Sequence, residues 1–386
     1  MGPAQPILGA GYAALGAFSP ARGQEVVVGF FGDLIGAYDR VGRSLPGWPV
    51  NSSNYVSTGP SLVRVSPTSS LPMIGEEDWA LHAYRPDATP PAGWPATANV
   101  GGQERHTPAV GNVDGVAGAE IFTASGWTSP GVYLFGLRGD GSSLPGYPVV
   151  FQGDVDTFPA VGDVDGDGQL EVVIVGAEPT YAWRAAVIVI TAATGAVEGT
   201  RLLSAGVPNG TAPALADLDQ DCGVGGLVEI IVQTEGTLEV VRWNGSTFSN
   251  YPGWPRTWST TQWIGNSAPA VGDVDGDGLP DLVITGQVAG DGTNGSVYLY
   301  SRGGVLHPRF PKNIRLGSGG APAIADLDRD GRNEIVVKGS PWNGFSGLKD
   351  TLWVYDLGGT TPHGPIHWGQ FMHDAAHTGT YTRAYC

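Results

Sequence analysis

The sequence predicts an all-β chain, a seven-bladed β-propeller with four-stranded blades, and three observations predict it. An anchor of the form Pro-Ala-aliphatic-Gly/Ala-Asp, with degenerate versions, recurs at residues 13, 60, 108, 159, 213, 269 and 322, spaced 47 to 56 residues apart. Each anchor is followed by a turn and then by short β-branched runs, four to a unit, which is the period and strand count of a propeller blade. Gly 61 and Pro 30 punctuate those runs, while 41% of the residues are hydrophobic, so the glycines and prolines mark turns rather than disorder. At 386 residues the chain is long for one ordinary domain, but a repeat in which each unit packs on its neighbours removes that difficulty.

The fullest copy is residues 159–176, PAVGDVDGDGQLEVVIVG. Asp163, Asp165 and Asp167 alternate, Gly168 allows a tight turn, and Glu171 closes the loop at its ninth position. Carboxylates at positions one, three, five and nine, with a backbone carbonyl at seven, can converge on one point. That many hard oxygens suit Ca²⁺, which accepts six to eight at flexible geometry, better than Mg²⁺ with its stricter octahedron. The loop is not an EF-hand, because its twelfth position is Ile174 and EVVIV at 171–175 reads as a buried strand. The acidic loop therefore lies inside a β-hairpin.

Taken in order, the repeats are expected at 13–59, 60–107, 108–158, 159–212, 213–268, 269–321 and 322–375, with a tail at 376–386, all in one propeller domain. The first is degenerate: AALGAF opens at Ala13, and Glu25 alone keeps an acid ahead of the strand at 26–28. The second, PSLVRV from Pro60, has lost every metal acid. The third has Asn112, Asp114 and Glu120 but Val116 at the third acid position, and reads as weak or empty. The fifth has Asp217, Asp219 and Asp221, then four extra residues before Glu229, so it binds with altered geometry. The sixth (Asp273, Asp275, Asp277, Asp281) and the seventh (Asp326, Asp328, Asp330, Glu334) are intact like the fourth. Third strands are expected around 132–135, 187–190, 297–300 and 352–355. A fourth strand is expected to begin with a Pro-Gly-aromatic-Pro element at 46–49, 145–148, 252–255 and, more loosely, 92–95; the fourth repeat has VEGTRLL instead.

These loops carry a resemblance. The chain resembles the FG-GAP or VCBS repeat family, whose relatives include the propeller head of integrin α subunits. The resemblance covers residues 13–375, with the DxDxDG-x-x-D/E loop as its specific motif. It implies Ca²⁺ bound in the loops and bracing the blades. The first two repeats depart from the motif, so the resemblance assigns no Ca²⁺ to them. HWGQFMHDAAHTGTY near the C-terminus resembles the closing element of bacterial members, with Trp368 at the repeated aromatic position and ring closure by a C-terminal strand.

Antiparallel strands put the metal loops and the three-to-four turns at one end of a blade. The two-to-three loops and the blade connections lie at the other. Six of the twelve tryptophans, Trp79, Trp127, Trp183, Trp258, Trp263 and Trp342, fall on that second end. Singly each is expected to cover a loop core; as a set they mark a binding face on which sugar rings stack well.

No Gly-x-Ser-x-Gly elbow, His-Glu-x-x-His or phosphate loop occurs. The alternative to a binding module is a lyase or cyclase using Glu104, Arg105 and His106 with Asp154 or Asp156, and a further alternative is a structural domain of a larger surface protein. His373 and His377, with the i, i+4 spacing of a helical turn, could bind a metal with Asp374, although the closing element accounts for them without one. The formal charge of −17 argues against nucleic acid, and no apolar run is long enough to span a bilayer. Cys222 and Cys386 have no sequence feature that pairs them. No basic region with an apolar core is visible at the N-terminus. Weak acidic loops suit millimolar Ca²⁺ outside the cell, so the expected setting is secreted, periplasmic or cell-surface, with a glycan or protein ligand.

Overall fold

This computed structural model describes residues 10–19, 23–30, 32–56, 58–76, 78, 80–97, 103–126, 132–151, 158–178, 184–204, 212–221, 226–234, 236–257, 262–263, 268–288, 295–314, 320–339, 351–359 and 361–382. They form seven small antiparallel sheets, the blades of a seven-bladed β-propeller. The chain packs as two compact units. One comprises Met1–Asp154, Ala193–Gly195 and Ala375–Thr378; the other comprises Val155–Ala192, Ala196–Asp374 and Gly379–Cys386.

The first unit holds three blades. Blade 1 is Ala10–Gly16, Glu25–Phe30, Gly32–Asp39 and Val50–Val56; blade 2 is Ser61–Ser66, Ser69–Gly75, Ala80–Ala83 and Ala96–Thr97. Blade 3 is Ala109–Gly111, Glu120–Gly126, Val132–Leu137 and Val149–Phe151, with Gln103–Arg105 added against its second strand. The second unit holds the other four. Blade 4 is Ala160–Gly162, Glu171–Glu178, Arg184–Thr191 and Val197–Leu202, so VEGTRLL does supply a fourth strand. Blade 5 runs Ala214–Ala216, Glu229–Thr234, Thr237–Trp243 and Phe248–Asn250; blade 6 runs Ala270–Gly272, Asp281–Val288, Gly295–Ser301 and Lys312–Ile314. Blade 7 has Ala323–Ala325, Glu334–Gly339 and Thr351–Tyr355.

Local sequence explains the cores. Val172, Val173, Ile174 and Val175 are all fully buried, as the β-branched run EVVIV requires when a blade is covered on both faces. Within the second unit, Val173, Val175, Val187 and Val189 of blade 4 pack with Ile230, Val232 and Val240 of blade 5. Within the first unit, Val63, Met73 and Leu81 of blade 2 pack with Ile121 and Phe135 of blade 3.

The aromatic-Pro elements fasten one blade to the next. The indole N–H groups of Trp48, Trp94 and Trp254 donate to the carbonyls of Pro86 (3.1 Å), Gly139 (3.1 Å) and Arg302 (2.8 Å), each in the three-to-four turn of the following blade. The preceding glycine has φ near +85° and lies against the same turn. A Cβ on Gly253 (φ +91°) would lie 2.0 Å from the Gly303 carbonyl oxygen, and one on Gly93 2.0 Å from that of Asp140. The sequence reading missed a fifth such element, Phe310-Pro311, whose ring is also buried.

The C-terminal segment departs from expectation. Trp368 is fully buried, but Ile366–Trp368 pairs with the first strand of blade 6 through Val271↔Trp368, not with blade 7, which has three strands among the described residues. In the second unit Ile324 N–H donates to the Gly369 carbonyl (2.7 Å), Val161 N–H to that of Gly379 (2.8 Å), and Asp217 N–H to the Tyr381 hydroxyl (3.2 Å). In the first unit the N–H groups of Leu15, Leu62 and Val110 donate to the carbonyls of Ala375, Ala376 and Thr378. The segment thus bonds to residues in or beside the first strand of every blade within its own unit. The anticipated helical turn is absent: His373 and His377 have φ of +74° and +56°, so the i, i+4 spacing does not align them on one face. No helix among the described residues is long and apolar enough to cross a membrane.

Candidate metal centres

Each acidic loop is built on the same hairpin register. The ninth-position acid, or in blade 5 its counterpart after the four extra residues, begins the second strand and faces the residue that ends the first: Gly111↔Glu120, Gly162↔Glu171, Ala216↔Glu229, Gly272↔Asp281 and Ala325↔Glu334. That register turns the acid's side chain back under the loop. There its carboxylate accepts the N–H of the second loop residue: Val164 to Glu171 at 2.8 Å, Leu218 to Glu229 at 2.7 Å, Val274 to Asp281 at 3.1 Å and Leu327 to Glu334 at 2.8 Å. The fourth loop position needs a left-handed backbone in every copy, supplied by Gly115, Gly166 and Gly276 and adopted also by Gln220 and Arg329.

The first, third and ninth acids converge. One oxygen each from Asp163, Asp165 and Glu171 lies within 4.8 Å of the other two, and the same holds for Asp217, Asp219 and Glu229, for Asp273, Asp275 and Asp281, and for Asp326, Asp328 and Glu334. Two oxygens on one Ca²⁺, at bonds of about 2.3–2.6 Å, lie at most about 5 Å apart, so these all-oxygen clusters fit that ion. The fifth-position acids stand outside the triads. Asp167 accepts the Gln169 N–H (2.7 Å), Asp277 that of Leu279 (2.8 Å), and Asp330 that of Arg332 (2.9 Å), while Asp221 is exposed. Burial pushes the Glu171 carboxyl up to about 9 and that of Asp281 up to about 8, and it raises Asp165 and Asp275 as well. A bound cation opposes those shifts, because a nearby positive charge favours the ionised carboxylate.

Two loops differ chemically. In blade 5, Arg242 on the third strand donates Nε to Glu229 and Nη2 to Asp219, and its guanidinium sits 4.6 Å over the Tyr251 ring. A side-chain cation thus already lies between two of that loop's acids. In blade 3 the Asn112 amide donates to the Val116 carbonyl at 2.7 Å, and the loop forms no converging triad among the described residues.

The other expected site residues divide as follows. Trp79, Trp127, Trp183, Trp258 and Trp342, together with Asp154, Asp156, Cys222 and Cys386, lie outside the described residues, and of Trp263, Glu104 and Arg105 only the backbone strands are described. His106 is buried at 4% exposure, and its carbonyl accepts the Thr123 hydroxyl at 2.8 Å. The C-terminal histidines do not gather. His363 Nδ1 accepts the Asn333 N–H (2.9 Å), His367 Nδ1 faces the Tyr381 hydroxyl (3.2 Å), and His377 Nδ1 donates to the Pro60 carbonyl (2.9 Å).

Residues 226–284, from Glu229 through the Asp273–Asp281 loop, match the family described as FG-GAP-like repeat. The chain carries an FG-GAP-like repeat. Integrin alpha pat-2 of Caenorhabditis briggsae is 29% identical over 136 residues, 29% of this chain and 11% of the integrin, so the match spans about a tenth of that relative's length. Among solved structures, the V. cholerae biofilm matrix protein Bap1 is similar at a TM-score of 0.50 and 11% identity, covering 97% of this chain and 93% of that one. The Dos1 propeller is similar at 0.53 and 11% identity, covering 87% and 76%. At those identities the likeness is one of fold. The triads of blades 4, 5 and 7 are built as the blade 6 triad inside the FG-GAP-like match is.

Proposed function

We propose that this protein is a calcium-stabilised extracellular binding module, lectin-like or adhesive, set in the secreted, periplasmic or cell-surface compartment. The observation that carries the calcium reading is the recurrence of one carboxylate triad at one hairpin register in blades 4 to 7. Ca²⁺ occupies the loops of blades 4, 6 and 7, while Arg242 neutralises that of blade 5. The ion's contribution is charge neutralisation and cross-linking of a turn, and nothing in the loops asks it to do chemistry. Asp163, Asp273 and Asp326 lead the ligand sets, and Glu171, Asp281 and Glu334 tie ion and hairpin together.

The binding reading rests on the likeness to an integrin alpha chain and on the six tryptophans at 79, 127, 183, 258, 263 and 342, which share one end of the blades by strand order. The ligand, glycan or protein, docks on that end, opposite the calcium loops. Screening the calcium-loaded protein on a glycan array and against extracellular-matrix proteins tests this. Binding lost in Trp258→Ala and Trp342→Ala variants supports it, and blank arrays at high protein concentration count against it.

A further inference from the structure

Blade 2 has no acidic hairpin loop, yet it carries a compact donor cluster at its other end. Glu76, Asp78 and His82 lie around the turn between Ser69–Gly75 and Ala80–Ala83. One ligand atom from each lies within 4.8 Å of the other two. His82 Nε2 is 2.9 Å from Asp78 Oδ2 and 3.5 Å from Glu76 Oε2. Four ligands placed tetrahedrally around an ion at roughly 2.0–2.2 Å are about 3.3–3.6 Å apart. The first separation is a little shorter than that edge and the second matches it.

The neighbouring groups hold these donors in place. Glu76 is 1% exposed; its Oε2 accepts the Ser52 hydroxyl and its Oε1 the Tyr84 hydroxyl at 3.2 Å. Asp78 Oδ1 accepts the Ala80 N–H at 3.1 Å, which leaves Oδ2 to face the imidazole. The His82 ring stacks on Tyr84 with an interplanar angle of 16°. Among the described residues no lysine or arginine is ion-paired with Glu76 or Asp78; His82 is their basic partner. A buried carboxylate beside a second one is costly unless a proton or a cation neutralises it. The side chains of Asp78 and His82 are 25% and 15% exposed, so a fourth position is open to water on their side.

We propose that Glu76, Asp78 and His82 form a metal site of a second kind, one that takes Zn²⁺ or a similar first-row ion. The imidazole nitrogen and the small donor number set it apart from the all-oxygen hairpin loops, because Ca²⁺ prefers six to eight oxygens whereas three protein ligands and a water suit zinc. It lies at the two-to-three end of its blade.

Cobalt(II) titration of the full-length, chelator-stripped protein in excess Ca²⁺ tests this, because tetrahedral Co²⁺ absorbs visibly and Ca²⁺ does not. The expected result is one equivalent with an intense visible band, displaced by Zn²⁺, and weakened at least tenfold in both His82→Gln and the more exposed Asp78→Asn. The double variant Asp163→Asn/Asp165→Asn is expected to keep the band. Circular dichroism and melting curves establish that each variant is folded. Equal cobalt binding by wild type and His82→Gln, or no band in folded wild type under that excess of Ca²⁺, would each overturn the proposal and leave a metal-free histidine–carboxylate pair.

Discussion

Glu25 accepts the backbone N–H of Phe18 at 3.1 Å, and that of Ser19 at 3.0 Å, in a loop with no other acid at a metal position. Glu120 makes the equivalent bond to Val113 at 2.8 Å in the Asn112 loop. The ninth-position acid therefore has a task that precedes metal binding, which is to accept the N–H groups that the turn leaves inside the blade. Glu25→Ala strands two buried donors, at about 1–3 kcal/mol each. Urea unfolding should show a loss of roughly 2–5 kcal/mol that is the same in Ca²⁺ and in EGTA. Glu171→Ala should instead cost more in Ca²⁺ than in EGTA, because it removes an ion ligand as well. Equal calcium dependence for the two variants would contradict this division of roles.

Arg242 places a guanidinium between Asp219 and Glu229, so blade 5 supplies its own cation. Arg242→Gln should raise the number of Ca²⁺ bound per chain by one, read by equilibrium dialysis. An unchanged count in a folded variant would mean that the four-residue insertion, not the arginine, determines whether this loop takes an ion.

The Pro-Gly-Trp-Pro glycines are held at the next blade's backbone. Gly253→Ala meets the Gly303 carbonyl and a left-handed φ together, and should destabilise by roughly 2–4 kcal/mol. Trp254→Phe keeps the ring and loses one hydrogen bond to Arg302, worth about 1 kcal/mol. Thermal melts that rank the two variants in the opposite order would rule out the close approach as the dominant effect.

Burial lowers His367 to about 4, from an ordinary value of 6.5. Its contribution to stability is therefore fully present above pH 6.5 and is lost as the pH falls towards 4, where the unfolded chain takes up the proton first. The loop carboxylates, shifted upward, act in the opposite sense, so the useful quantity is a difference. Between pH 7 and pH 4 in EGTA, wild type should lose on the order of 1–3 kcal/mol more than His367→Gln. Parallel stability curves would show that His367 is not held neutral.

The repeat was legible because its signals are local. EVVIV is a buried strand wherever it lies, and alternating aspartates before a glycine make a turn without help from the rest of the fold. The C-terminal path was not legible, because residues 369–379 bind the first strands chiefly through backbone carbonyls, which leave no side-chain pattern. Trp368 looked like another aromatic-Pro element from its spacing alone, whereas its strand pairs with blade 6. Arg242 could not be read because it lies 13 residues beyond Glu229, and only the strand register brings it back to the loop. Phe310-Pro311 and the Glu76, Asp78, His82 spacing were present in the sequence; the first lacks the usual glycine, and the second lies in the repeat that had lost its loop acids.

Calcium titration by calorimetry of chelator-stripped protein, paired with melting curves in Ca²⁺ and in EGTA, tests the central claim most directly. Three ions per chain and a melting temperature that falls steeply in EGTA are the predicted results, since ligands that bind only the folded form stabilise it by mass action. A titration without heat and superimposable melts would mean that the aspartate loops of blades 4, 6 and 7 are turns and nothing more.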